Sequence, residues 1–145
     1  MSKLYIAYGS NINLEHMAYT CPTAKIKGVG EVRGWNLVFR GIDDSVYATI
    51  EPKDNRVVPV LIWEIEAPDE KALDEYEEYP ELYRKKIIHA IYKGEVLEAM
   101  VYIMNEGMPI EKPSQSYFET IKKGYEAVGI DVKILEKFLE NQGIR

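Results

Sequence analysis

Two apolar runs of similar length, Lys86-Ile87-Ile88-His89-Ala90-Ile91-Tyr92 and Glu95-Val96-Leu97-Glu98-Ala99-Met100-Val101-Tyr102, are separated only by Lys93-Gly94. A two-residue connection ending in glycine has the length of a tight hairpin, so the runs are expected to pair antiparallel. β-Branched and aromatic residues also dominate residues 4–8, 24–39, 46–50 and 57–66, with turn formers between them, and extend the hairpin to 83–92 and 96–104. Helical spacing appears elsewhere. Asn13 can cap a helix over 14–19 that Pro22 ends, and residues 68–78 carry helix formers between Pro68 and Pro80. At the C-terminal end, Tyr117, Ile121 and Tyr125 recur at i, i+4 and i+8 within 114–127, and Ile134, Leu135, Phe138 and Leu139 share a face within 132–142. Strands first and helices last give an α+β chain.

The 145 residues, 46% of them hydrophobic, suffice for one compact domain spanning 1–145, with no repeat or linker to divide it. No stretch approaches the roughly 18 apolar residues of a membrane helix, which leads to the expectation of a soluble protein without membrane contact. Cys21 is the only cysteine, so an internal disulfide is excluded and a reducing cytoplasm fits. A net charge of −6 argues against nucleic acid as a partner, since phosphate binding rests on clustered Lys and Arg. A monomer and a homodimer are both compatible with the sequence.

Several chemistries lack their residues. There is no Gly-rich phosphate loop, no histidine pair at metal-ligand spacing and no nucleophile elbow. His16 and His89 receive no role, and Cys21 reads as a buried structural thiol. The acidic run Asp74-Glu75-Tyr76-Glu77-Glu78 is more informative. With side chains about 100° apart around a helix, Ala72, Leu73, Tyr76 and Pro80 form the apolar face, and Glu77 lies nearest to it. A glutamate buried at a cavity rim acquires a raised pKa and can exchange protons near neutral pH. Upstream, Tyr8-Gly9-Ser10-Asn11 breaks strand one into a turn whose unpaired N–H groups can receive a carboxylate or an oxyanion.

Three segments together resemble the γ-glutamylcyclotransferase-like family, which includes proteins described as AIG2-like. They are Tyr8-Gly9-Ser10-Asn11, then Leu73-Asp74-Glu75-Tyr76-Glu77 with Tyr79-Pro80 and Tyr83-Arg84, and finally Pro113 to Gly124 with Tyr117 and Ile121. The resemblance implies a small mixed, largely antiparallel β-barrel with peripheral helices. It also implies a reaction in which a γ-glutamyl amine or γ-glutamyl amino acid cyclises to 5-oxoproline and releases the amine, without cofactor or metal. In that reaction Glu77 is the general base and acid, and the N–H groups around Gly9 and Ser10 hold the oxyanion. Tyr117 and Tyr83 line the pocket, while Tyr8 either anchors the loop or reaches the ligand. Two positions depart from the family pattern: Ile12 replaces the usual Leu, and Glu78 stands where many relatives have Gly. The alternative reading is a non-catalytic module that binds a small carboxylate on the same fold.

Overall fold

The computed structural model describes residues 2–143. Strand β1 (Lys3–Ala7) leads through a 3-10 turn (Ser10–Ile12) into α1 (Leu14–Thr20), followed by the long strands β2 (Lys25–Ile42) and β3 (Ser45–Ile65). Helix α2 (Ala67–Tyr76), the hairpin β4 (Tyr83–Tyr92) and β5 (Glu95–Met104), and helices α3 (Gln115–Val128) and α4 (Val132–Asn141) complete the chain. The strands close a barrel in the order β1-β3-β2-β4-β5. All pairs are antiparallel except β1 with β5, which meet in parallel at Tyr5 and Met100 and seal the barrel. The fold is therefore the small mixed barrel with peripheral helices that the resemblance implied.

The hairpin expected at Lys93-Gly94 is present: Tyr92 pairs with Glu95, and φ is positive at both turn residues, 49° and 79°. This double positive φ matches the twist of the flanking strands. Residues 46–50 and 57–66, expected as separate strands, are parts of the single strand β3. The polar stretch between them suggested a loop; it is largely exposed, Asn55 stands at φ 64°, and residues 53–56 lie unpaired at the register shift between Arg33 and Trp35. The polar residues thus mark an exposed irregularity within one strand, where pairing with β2 is interrupted.

Barrel interior and helix undersides share one apolar core in which Ile12, Leu37, Phe39, Ile50, Leu61, Tyr102, Ile121 and Leu135 are all buried. Asn13 caps α1 by accepting from the His16 N–H at 2.9 Å, and Ser114 and Asp131 cap α3 and α4 in the same way. Ile134, expected on the apolar face of α4, is 39% exposed. Among the described residues no helix is long and apolar enough to cross a membrane.

Candidate active site

The loop after β1 is held from beneath. Tyr8 is buried and donates its hydroxyl to the Tyr102 carbonyl at 2.7 Å, tying the loop to β5. Asn11 is likewise buried: its Nδ2 donates to the Tyr5 hydroxyl at 2.7 Å, and its carbonyl accepts from Trp63 Nε1 at 3.1 Å. Only then does the chain wind into the 3-10 turn, where the N–H groups of Ser10 and Asn11 find no acceptor among the described residues. The Ser10 hydroxyl meets the Tyr76 hydroxyl at 3.0 Å.

Helix α3 lies against the backbone of this loop because position 124 is glycine. A Cβ there would stand 2.8 Å from the Asn13 nitrogen and 2.9 Å from the Ile12 carbonyl carbon. Asn13 Nδ2 clamps the same contact by donating to the Thr120 carbonyl at 2.9 Å. Two turns earlier on α3, Tyr117 reaches the Gly9 backbone, where an added Cβ would lie 3.4 Å from its hydroxyl and 3.3 Å from Ala48 Cβ. Close approach thus requires glycine at position 124, whereas a Cβ at Gly9 would be tight only against Ala48.

The phenols differ in what they can offer a ligand. Tyr83 donates its proton to the Ala48 carbonyl at 2.7 Å, as Tyr8 does to Tyr102. Tyr117 instead accepts, from the Ala48 N–H at 3.0 Å, which leaves its own proton free. Burial pushes Tyr5, Tyr8, Tyr83 and Tyr117 above the ordinary phenol range, and the nearby Glu77 charge adds to this. They remain neutral hydrogen-bonding walls.

Glu77 is not within a helix. Helix α2 ends at Tyr76, and Glu77 is its C-cap with φ −85° and ψ 0°. The helix expected over 68–78 therefore ends two residues early, and the placement of Glu77 follows from the cap and not from a helical face. The C-terminal turn closes by two hydrogen bonds, Glu78 N–H to Glu75 O at 3.2 Å and Tyr79 N–H to Asp74 O at 2.9 Å, with Glu78 at φ 53°. That is the Schellman arrangement, which favours glycine at the position Glu78 occupies.

The residue Glu77 is half-buried, and its carboxyl group is enclosed among the tyrosines. No hydrogen bond or ion pair holds this carboxyl among the described residues, and desolvation pushes its pKa from 4.5 up to about 8. It sits where two cavities meet. The inner one, about 20 Å³, is lined by the loop with Tyr5, Tyr8, Ala48 and Tyr102; the outer one, about 90 Å³, by Tyr47, Tyr76, Glu78 and Leu82. Ser10, Glu77, Tyr83 and Tyr117 line both.

Every residue singled out in the sequence, Tyr8, Gly9, Ser10, Asn11, Glu77, Tyr83 and Tyr117, lines one or both cavities. The sequence reading missed Tyr5, Tyr47 and Tyr76. Tyr76 had been placed on the buried face of α2 but is 40% exposed. Tyr47 stacks edge-on against Tyr117 with ring centroids 5.3 Å apart, a contact between β3 and α3 with no local signature. Only Tyr5, two residues inside an otherwise aliphatic strand and with a hydroxyl to satisfy, carried a readable hint.

The family model described as "Gamma-glutamyl cyclotransferase, AIG2-like" matches residues 5–126. A solved structure described as a gamma-glutamyl cyclotransferase superimposes with TM-score 0.87 at 23% identity, covering 100% of this chain and 89% of that one. An uncharacterized Homo sapiens protein gives 0.86 at 24% identity, covering 99% and 88%. Bacillus subtilis YkqA gives 0.82 at 17% identity, covering 96% of this chain and 54% of that one. At these identities the structures speak for the fold. No curated protein matches the sequence. The loop, the C-cap glutamate and the α3 tyrosine all lie within the matched span, and the chain belongs to the gamma-glutamyl cyclotransferase, AIG2-like family.

Proposed function

We propose that the protein converts a γ-glutamyl amine or γ-glutamyl amino acid to 5-oxoproline and the free amine, with Glu77 as general base and then general acid. One observation carries this reading. A carboxyl group stands unpaired at the junction of two cavities, and burial alone raises it to about 8, close to the range of a substrate α-amine.

The γ-glutamyl amide to be cleaved lies at the junction of the two cavities, against the loop and Glu77. The bound α-ammonium favours the ionised form of Glu77 and gives it a proton. The freed amine attacks its own γ-carbonyl carbon, forming the ring C–N bond. An intramolecular attack from a fixed pose needs no protein nucleophile. The Ser10 and Asn11 N–H groups, which lack acceptors, stabilise the oxyanion, and the uncommitted Tyr117 proton is a further donor. Glu77 returns the proton to the leaving nitrogen as its bond to carbon breaks. Glu77, ionised again, then takes the second proton from the new ring nitrogen, leaving the neutral lactam, and passes it to the released amine.

The test is release of 5-oxoproline from a panel of γ-glutamyl amides and dipeptides. The wild type is expected to turn over at least one, and Glu77→Gln to lose about 10²–10⁴-fold in kcat, the usual range for removing a general base. Binding without turnover by the wild type would instead support a carboxylate-binding module.

A further inference from the structure

Another cavity, about 540 Å³, shares no residue with the two around Glu77. Thr49, Arg84 and Ile103 line it, each one residue along from Ala48, Tyr83 and Tyr102 of the candidate active site, so it occupies the other face of β3, β4 and β5. Its volume falls in the range of small-molecule sites. Of its cations, Arg40 is committed: it pairs with Glu51 through Nε and Nη2 and donates from Nη1 to the Met108 carbonyl at 2.8 Å, which fixes the segment after β5 as a wall. Arg84 is anchored but not used up. Its Nη1 donates to the Met104 carbonyl at 2.9 Å, and its other N–H donors find no acceptor among the described residues.

Two residues along β4, and so on the same strand face, Lys86 has no carboxylate partner among the described residues. Lys85, between them, turns to the other face and is held by Glu70 and Asp74. Arg84 and Lys86 are therefore neighbouring like charges without a counter-ion, and Glu106, the acid of this wall not engaged by Arg40, forms a salt bridge with neither. Trp35, half-buried and with its indole N–H unpaired among the described residues, lines the same cavity with Pro52 and Ile103. We propose that this cavity is a second binding site, for a small organic anion: a flat ring bearing a carboxylate or phosphate, the anionic group on Arg84 and Lys86 and the ring against Trp35. An anchored guanidinium takes either head group through paired N–H donors, the ammonium adds charge, and an indole offers a face for ring stacking. The site is independent of the cyclotransferase reading.

Calorimetric titration of the full chain tests it with adenosine monophosphate and 1-naphthoate as the ring anions. Adenosine, 1-naphthalenemethanol and inorganic phosphate are the controls that lack one half of the ligand. Wild type is expected to bind at least one ring anion about tenfold or more tightly than its controls, with affinity falling as salt is raised. Which of the two binds identifies the head group. Lys86→Glu, at a side chain that makes no bond in the fold, should weaken binding by about tenfold or more, and Glu77→Gln should leave it unchanged. The proposal is overturned if neither ring anion binds, if inorganic phosphate binds as tightly as both, or if Glu77→Gln and not Lys86→Glu alters the affinity.

Discussion

Two regions around the same short helix treat their carboxylates in opposite ways. On one side of α2, Glu70 accepts from Lys3 at 2.8 Å and Lys85 at 2.6 Å, while Asp74 takes Lys85 at 2.9 Å and the Tyr102 hydroxyl at 2.6 Å. At its C-terminal end Glu77 has none of these partners. Desolvation pushes both Glu70 and Glu77 upward. In Glu70 the hydrogen bonds from Lys3 and Lys85 outweigh it and hold the carboxyl below 4.5; in Glu77 nothing opposes it. Glu77 differs from Glu70 in both respects: its carboxyl is far more deeply enclosed, and no cation stands beside it.

The largest consequence is kinetic. Exchanging the two acids for their amides should separate them: Glu77→Gln loses about 10²–10⁴-fold in 5-oxoproline release, whereas Asp74→Asn, which still accepts from Tyr102 through its amide oxygen, loses less than about tenfold. Similar losses in both variants would break the comparison. The next effect is on stability. Lys85→Met removes the cation between two partly buried acids and should cost about 1–3 kcal/mol in denaturant unfolding. Glu77→Gln assayed in parallel should show no such loss at pH 7.

The two regions also differ in how far the sequence exposed them. Strand periodicity and the Lys93-Gly94 turn made the β4–β5 hairpin legible, because both signals are local. Helical spacing made α3 legible down to Ile121 and Tyr125, which are fully buried. The Glu70–Lys85–Asp74 arrangement was not readable, since it joins α2 to β4 across the barrel edge. The wheel placed Glu77 at the edge of the apolar face, and the carboxyl is indeed enclosed, but the wheel assumed helix through Glu78 and the chain leaves the helix at Tyr76. The segment of Glu77 and the two that accompany it carried the identification, and the tyrosine cage had to be seen in three dimensions. Tyr47, Tyr83 and Tyr117 come from different elements, and which phenol keeps its proton depends on the Ala48 backbone.

A smaller effect follows from the sign of the Glu77 shift. Its folded pKa of about 8 exceeds the 4.5 of an unperturbed carboxyl, so the folded state holds a proton that the unfolded state releases between those values. Stability linked to Glu77 is therefore fully present below about pH 4.5 and lost as pH rises toward 8. Glu70 works the other way, contributing above its ordinary range and losing that contribution as acid protonates it. Glu77→Gln should consequently be more stable than wild type at pH 9 by about 1–2 kcal/mol and nearly equal to it at pH 5, read from urea midpoints. A difference that does not change with pH would mean that Glu77 titrates as an ordinary surface acid.

The smallest expected effect lies one residue further on. Glu78 stands at φ 53°, in the left-handed region that the C-cap demands and that a Cβ disfavours by about 1 kcal/mol. Glycine relieves that strain but adds freedom to the unfolded chain, so Glu78→Gly should stabilise by about 0.5–1 kcal/mol, or a rise of about 2–4 °C in Tm. Glu78→Gln keeps the Cβ and should leave Tm unchanged. If the glutamine variant were stabilised as much as the glycine variant, relief of repulsion between Glu78 and its acidic neighbours would be the cause, and the turn would be unstrained. If only glycine stabilises, this chain keeps a side chain at a position where its backbone disfavours one, and the charge at the mouth of the outer cavity is what that side chain supplies.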